Sequence, residues 1–173
     1  MQQIKALQML QKPEDLMELL KGHRSIFVGA FCNEPQTLMQ WFQKIVFNLA
    51  PMSLYMVVTG SSVSFAKNLP KHIDIKAFLS SNQFRKFGLT NQVDYIPMNL
   101  SEIPKWIETS NQVDVAFIQV SPPDAEGYCN TGISVDVIPG KFSRFAFSNP
   151  APPISGIAVL VIVKRLNLAT LPD

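Results

Sequence analysis

The chain has 173 residues, the size of one ordinary domain with room for one substantial core. Hydrophobic residues make up 47% and charged residues 16%, which excludes a disordered tail, a fibrous repeat and a highly charged coiled coil. The net charge of +2 favours neither nucleic acid nor an acidic lipid surface, and two cysteines cannot build a disulfide scaffold.

Residues 1–12 lack the apolar core of a secretory leader. The longest apolar run, residues 157–163, is far below the roughly 18 residues that span a bilayer. The expectation is a cytoplasmic protein with no membrane, nucleic-acid or metal partner. In chain order, residues 13–20 read as a helix, with Leu16, Met17, Leu19 and Leu20 on its apolar side and Gly22 as its stop. Residues 25–30 read as a strand. Residues 35–49 place Leu38, Met39, Phe42, Ile45, Val46 and Leu49 at helical spacing, with Pro35 at the first helical position.

Strands are expected at 54–58, 73–79 and 93–97, with short helices around 83–87 and over 101–108. Two more strands are expected at 113–120 and 157–163. Most of these strands are apolar at nearly every position, which suits burial on both faces. Strand, loop, helix, strand is the signature of an α/β fold with an open, mainly parallel sheet and helices on both faces. Ligands of such sheets bind beyond the carboxyl ends of the strands.

Three polar loops leave strands at that end. The first, Cys32-Asn33-Glu34, runs from a buried strand into a helix N-terminus, where exposed N–H groups favour an anion or a polarised carbonyl. Glu34 can equally serve there as a plain charge complementing the helix dipole. The second, containing Thr59 and Gly60, offers backbone N–H groups but no phosphate-loop lysine, so turn chemistry is the simpler reading. The third, residues 121–131, begins Ser121-Pro122-Pro123-Asp124 and continues through Gly127, Tyr128 and Cys129. It is longer than the usual two to six residues of such a connection and is stiffened by its prolines, which leans towards function. His23 and His72 read as surface residues, and Trp41 and Trp106 as core.

Three segments taken together carry a resemblance. They are Phe31-Cys32-Asn33-Glu34-Pro35-Gln36, then Leu100-Ser101-Glu102-Ile103-Pro104, then the run from Val113 to Asp124 with Gly127-Tyr128-Cys129 and Gly132 to Asp136. In order and spacing, residues 13–137 resemble the amino-terminal half of the acetyl-CoA hydrolase / 4-hydroxybutyrate CoA-transferase family. The resemblance implies two similar α/β halves with the active site in the cleft between them. It also implies ping-pong chemistry on a coenzyme A thioester, with a small carboxylate or water as acceptor and no permanently bound cofactor.

A glutamate is the nucleophile of that family, and it belongs to the carboxyl-terminal half. No catalytic residue is therefore carried over to this chain, and Glu34, Glu102 and Glu126 do not match the motif. The cleft-lining or substrate-binding residues expected here are Cys32, Asn33, Glu34, Thr59, Gly60, Ser121, Pro122, Asp124, Gly127 and Tyr128. The expected partners are an acyl-CoA, a small carboxylate, the missing carboxyl-terminal domain and further copies in a homo-oligomeric enzyme. The alternative is a non-catalytic sugar-phosphate sensor of related fold, which basic residues on these loops would favour.

The chain departs from the family after Asp136. Pro139, Pro150, Pro152 and Pro153 are incompatible with one continuous helix across that stretch. The expectation is a 1–137 family-like domain followed by a divergent tail at 138–173, from a truncated or frame-shifted gene, with a natural variant tail as the alternative.

Overall fold

A computed structural model describes residues 7–57, 69–80, 93–121, 137, 144–148 and 158–163. The strands are β1 (Leu7–Leu10), β2 (Ser25–Val28), β3 (Met52–Met56), β4 (Ile73–Ala77), β5 (Val93–Tyr95), β6 (Val115–Val120), β7 (Arg144–Ser148) and β8 (Ala158–Val163). The helices are α1 (Pro13–Leu19), α2 (Gln36–Ile45) and α3 (Ile103–Ser110). All eight strands form one sheet in the order β1-β7-β8-β6-β2-β3-β4-β5. Within it β6, β2, β3, β4 and β5 run parallel, and β8 is antiparallel to both β6 and β7. The expected open, mainly parallel α/β sheet is what forms.

Alternation along each strand splits the core into two layers. Ile26, Val28, Leu54, Met56, Ile75, Val115 and Phe117 face α1 and α2, and pack with Leu16, Leu38, Phe42 and Ile45. Phe27, Tyr55, Val57, Ala116, Ile118 and Val120 face the other way, with Ile103 and Ile107 of α3. Burial on both faces is why these strands carry few polar residues.

The helix ends follow local chemistry. The Asp15 carboxylate accepts N–H bonds from Gln11 (2.8 Å) and Lys12 (3.2 Å), closing the start of α1, and Gly22 turns the chain at φ +80°. Pro35 was expected at the first helical position of α2 but occupies the cap, one residue earlier. Its carbonyl accepts the first helical bond, from Met39 (3.0 Å). The preceding residues are tied up in a tight turn at Phe31–Asn33, so the helix cannot begin sooner. At its other end α2 tightens into a 3-10 turn, Val46–Asn48. α3 starts at Ile103, two residues later than expected, after a turn in which the Glu102 carboxylate accepts the Asn99 N–H (3.1 Å), and it ends at Asn111 in the left-handed conformation. The short helix expected around 83–87 lies outside the described residues.

Trp41 is buried, and Trp106 packs into an aromatic group, tilted against Tyr55 (5.3 Å) and edge-on to Phe78 (5.1 Å). The Tyr55 hydroxyl donates to Gln112 Oε1 at 2.9 Å. Burial, and then the charges of Asp74 and Asp114, push its phenol above the ordinary value of 10.0. A raised folded-state value means that the neutral phenol is favoured in the fold. That stabilisation is complete below the ordinary value and is lost as the pH rises towards the raised one. As the pH rises through the ordinary value of 10.0 towards the raised one, the melting temperature of the natural chain should therefore fall more steeply than that of Tyr55→Phe. Parallel melting curves across that range would count against this account.

Candidate functional site

Parallel order and chain order together create one distinctive place on the sheet. From β2 the chain steps outward through β3, β4 and β5, then returns to β6 on the opposite side of β2. The strand order therefore reverses between β2 and β6, which makes the carboxyl ends of these two strands a topological switch point. In open α/β sheets such switch points are where ligands bind.

The first connection is built around a close approach. The Gly29 N–H donates to the Phe117 carbonyl of β6 (2.9 Å), one step past the end of β2. The chain then folds back through Phe31–Asn33, with the Asn33 N–H on the Ala30 carbonyl (2.9 Å) and the Glu34 N–H on the Phe31 carbonyl (3.3 Å). This brings the Asn33 carbonyl oxygen to 2.6 Å from where a side chain at Gly29 would begin. Only glycine fits there.

Phe31 takes a left-handed backbone, φ +50°, which costs a bulky residue about 1–2 kcal/mol, and the residue is 57% exposed. A second bond crosses to β6, where Gln119 Nε2 donates to the Cys32 carbonyl (3.2 Å). The turn is thus held by its own bonds and by two to the neighbouring strand.

Of the residues expected from sequence, Cys32 is exposed on this turn, while Asn33 and Glu34 are buried at 1% and 4% exposure. Their Oδ1 and Oε1 atoms are enclosed by protein. Glu34 is therefore a buried carboxylate just ahead of α2, not a solvated charge at its start. Ser121, half-buried, stands at the end of β6, so the first loop and the root of the third share the switch point. Thr59, Gly60, Pro122, Asp124, Gly127 and Tyr128 lie outside the described residues. Val57 leads towards the second loop from β3, the strand beside β2.

Sequence reasoning missed Gln119. A signal was present, since it is the only polar side chain in the otherwise apolar β6. The two histidines lie elsewhere, His72 with its ring nitrogen 3.4 Å from the Val46 carbonyl below α2, and His23 in the turn after α1. No helix among the described residues is long and apolar enough to cross a membrane.

The family model described as the acetyl-CoA hydrolase/transferase N-terminal domain matches residues 2–144. A succinyl-CoA:acetate/propanoyl-CoA:succinate CoA transferase of Fasciola hepatica is 29% identical over 72% of this chain and 26% of its own length. A 4-hydroxybutyrate coenzyme A transferase of Clostridium kluyveri is 27% identical over 71% of this chain and 29% of its own. The chain thus spans little more than a quarter of the length of these curated relatives.

Among solved structures, RipA from Yersinia pestis superposes with a TM-score of 0.63 at 19% identity, over 75% of this chain and 33% of that one. The 4-hydroxybutyrate CoA-transferase of Porphyromonas gingivalis superposes at 0.52 and 18% identity, over 75% of this chain and 29% of that one. Both share the fold. With the family's sequence pattern running through most of its length, the chain belongs to the acetyl-CoA hydrolase/transferase N-terminal domain family.

Proposed function

We propose that the chain is the amino-terminal, cleft-forming half of an acetyl-CoA hydrolase or acyl-CoA:carboxylate CoA-transferase, acting on a coenzyme A thioester and a small carboxylate. The observation that carries this is the switch-point turn. In a chain of this family, a strained turn that follows β2 and is bonded to β6 stands at the switch point, the place where open α/β sheets generally bind ligands, and this supports the reading. In this proposal Cys32 and Ser121 line the cleft, Asn33 and Glu34 support the turn from its buried side, and the loops containing Thr59, Gly60, Pro122, Asp124, Gly127 and Tyr128 contribute the rest. Neither residues 29–37 nor residues 121–131 contain Lys or Arg, so the phosphate-sensor alternative finds no cation at these loops.

In the proposed reaction a glutamate outside this chain attacks the thioester carbon, and the CoA thiolate leaves to give a mixed anhydride. The thiolate then attacks the glutamyl carbonyl, releasing the first carboxylate and leaving a glutamyl thioester. A second carboxylate repeats the exchange in reverse, or water ends it as hydrolysis. A carboxylate is a weak nucleophile in water, so the reaction needs a dry cleft with fixed donors and a held substrate. Supplying walls, orientation and donors is the role proposed for this half. The nucleophile comes with a second half-domain, in a homo-oligomeric, cytoplasmic enzyme.

Two outcomes follow. The chain alone should catalyse no exchange of labelled acetate into acetyl-CoA, and a turnover that co-purifies with it would overturn the division of labour. Acetyl-CoA should slow alkylation of the exposed Cys32 several-fold, as read by mass-spectrometric peptide mapping. A Cys32 rate indifferent to acetyl-CoA up to millimolar concentration would remove the turn from the cleft.

A further inference from the structure

Four large apolar side chains are exposed among the described residues, namely Phe31, Phe47, Tyr95 and Leu100. Phe47 lies in the turn between α2 and β3, at the amino-terminal edge of the sheet. Tyr95 is the last residue of β5, the far edge strand, and Leu100 lies in the connection between β5 and α3. Phe31 alone of the four stands at the switch point. It combines two unfavourable features, apolar exposure and a left-handed backbone. Such a conformation persists only where the surroundings fix it. Here they do so through the Gly29 bond to Phe117 and the Gln119 bond to the carbonyl of Cys32, the next residue.

We propose that Phe31 is a specificity residue that packs against the apolar acyl chain of the thioester, and that Gln119 is the positioning residue that holds it there. This rests on the CoA-thioester reading of the same site and deepens it. A phosphate, a nucleotide diphosphate or a free carboxylate calls for a cation or a polar donor, and a phenyl ring supplies neither. The acyl chain is the apolar and variable part of such a substrate. An aromatic ring fixed in advance binds it without first losing conformational freedom. Gln119 does not touch the substrate in this scheme. It fixes the peptide beyond Cys32, and with it the direction in which the turn presents Phe31.

The test is calorimetric titration of the full chain with CoA, acetyl-CoA, butyryl-CoA and hexanoyl-CoA, with melting curves to confirm that each variant folds. For the natural sequence, affinity should rise about fourfold per added methylene that is fully buried. Phe31→Ala should flatten that series while leaving the affinity for CoA itself within about twofold, and Phe31→Leu should retain part of the slope. Gln119→Leu should flatten the series too, and the double variant should be no flatter than Phe31→Ala alone, because Gln119 acts through Phe31.

A slope that survives Phe31→Ala overturns the assignment of Phe31 and leaves the CoA reading intact. Losses that add in the double variant overturn the positioning role of Gln119. If neither CoA nor any thioester binds the natural chain, the CoA reading fails and this proposal fails with it.

Discussion

Phe117→Ala is expected to destabilise the protein by about 3–5 kcal/mol, the usual cost of truncating a buried phenylalanine without repacking. Phe117 is fully buried in β6, paired in register with Val28 on one side and Val161 on the other. Its ring meets Phe42 of α2 edge-on at 6.4 Å, so the side chain joins the sheet to the helix that covers it. Neither a β-strand held on both sides nor a helix packed on several strands can move in to fill the space left behind. Domains of this size are stable by only about 5–15 kcal/mol, so the variant should lose a large share of its stability. Urea denaturation of Phe117→Ala beside Phe47→Ala checks this. Phe47 is 65% exposed, and its removal should change stability by no more than about 0.5 kcal/mol. Similar midpoints for the two variants would mean that the core does not centre on Phe117.

The elements legible in sequence were those whose character is set locally. β2 and β6 are buried on both faces, so they read as unbroken apolar runs, and α2 announced itself by its 3.6-residue period. β3 was expected two residues late. Its first residues include Ser53, whose hydroxyl bonds the Asp74 carboxylate of β4 (3.0 Å), so a polar pair across the sheet hid the strand's start.

β1 and β7 were not anticipated, and they pair with each other across almost the whole chain, Leu7 opposite Phe145. No local pattern in Leu7–Leu10 names a partner so distant. β7 and β8, both within the stretch set apart as a divergent tail, belong to the same sheet as the rest.

The site divides the same way. Cys32, Asn33 and Glu34 could be named as candidates from sequence because they follow a buried strand and precede a helix. Gln119 was not named, because its partner is a backbone carbonyl 87 residues away, and a carbonyl looks the same at every position.

The second large effect is expected at Gly29. A β-carbon there would sit 2.6 Å from the Asn33 carbonyl oxygen and 3.3 Å from both the Asn33 carbonyl carbon and its Cβ. The closest contact is with backbone, so rotating a side chain cannot relieve it. On the other side, the Gly29 N–H is fastened to Phe117, so retreat in that direction breaks a bond in the β2–β6 ladder. Gly29→Ala must therefore open the Phe31–Asn33 turn or pull the strand end away. It should cost about 1–3 kcal/mol and weaken acetyl-CoA binding at least tenfold.

Gly22→Ala is the informative companion. Nothing lies within 4 Å of its β-carbon position, but φ is +80°, so its cost of about 1 kcal/mol comes from the backbone alone and falls far from the switch point. The two variants can thus have similar melting temperatures and opposite behaviour at the site. Gly22→Ala should keep the protection of Cys32 by acetyl-CoA, and Gly29→Ala should lose it. If Gly29→Ala also keeps that protection, the close approach of the turn is a matter of packing, and the thioester is held by other residues.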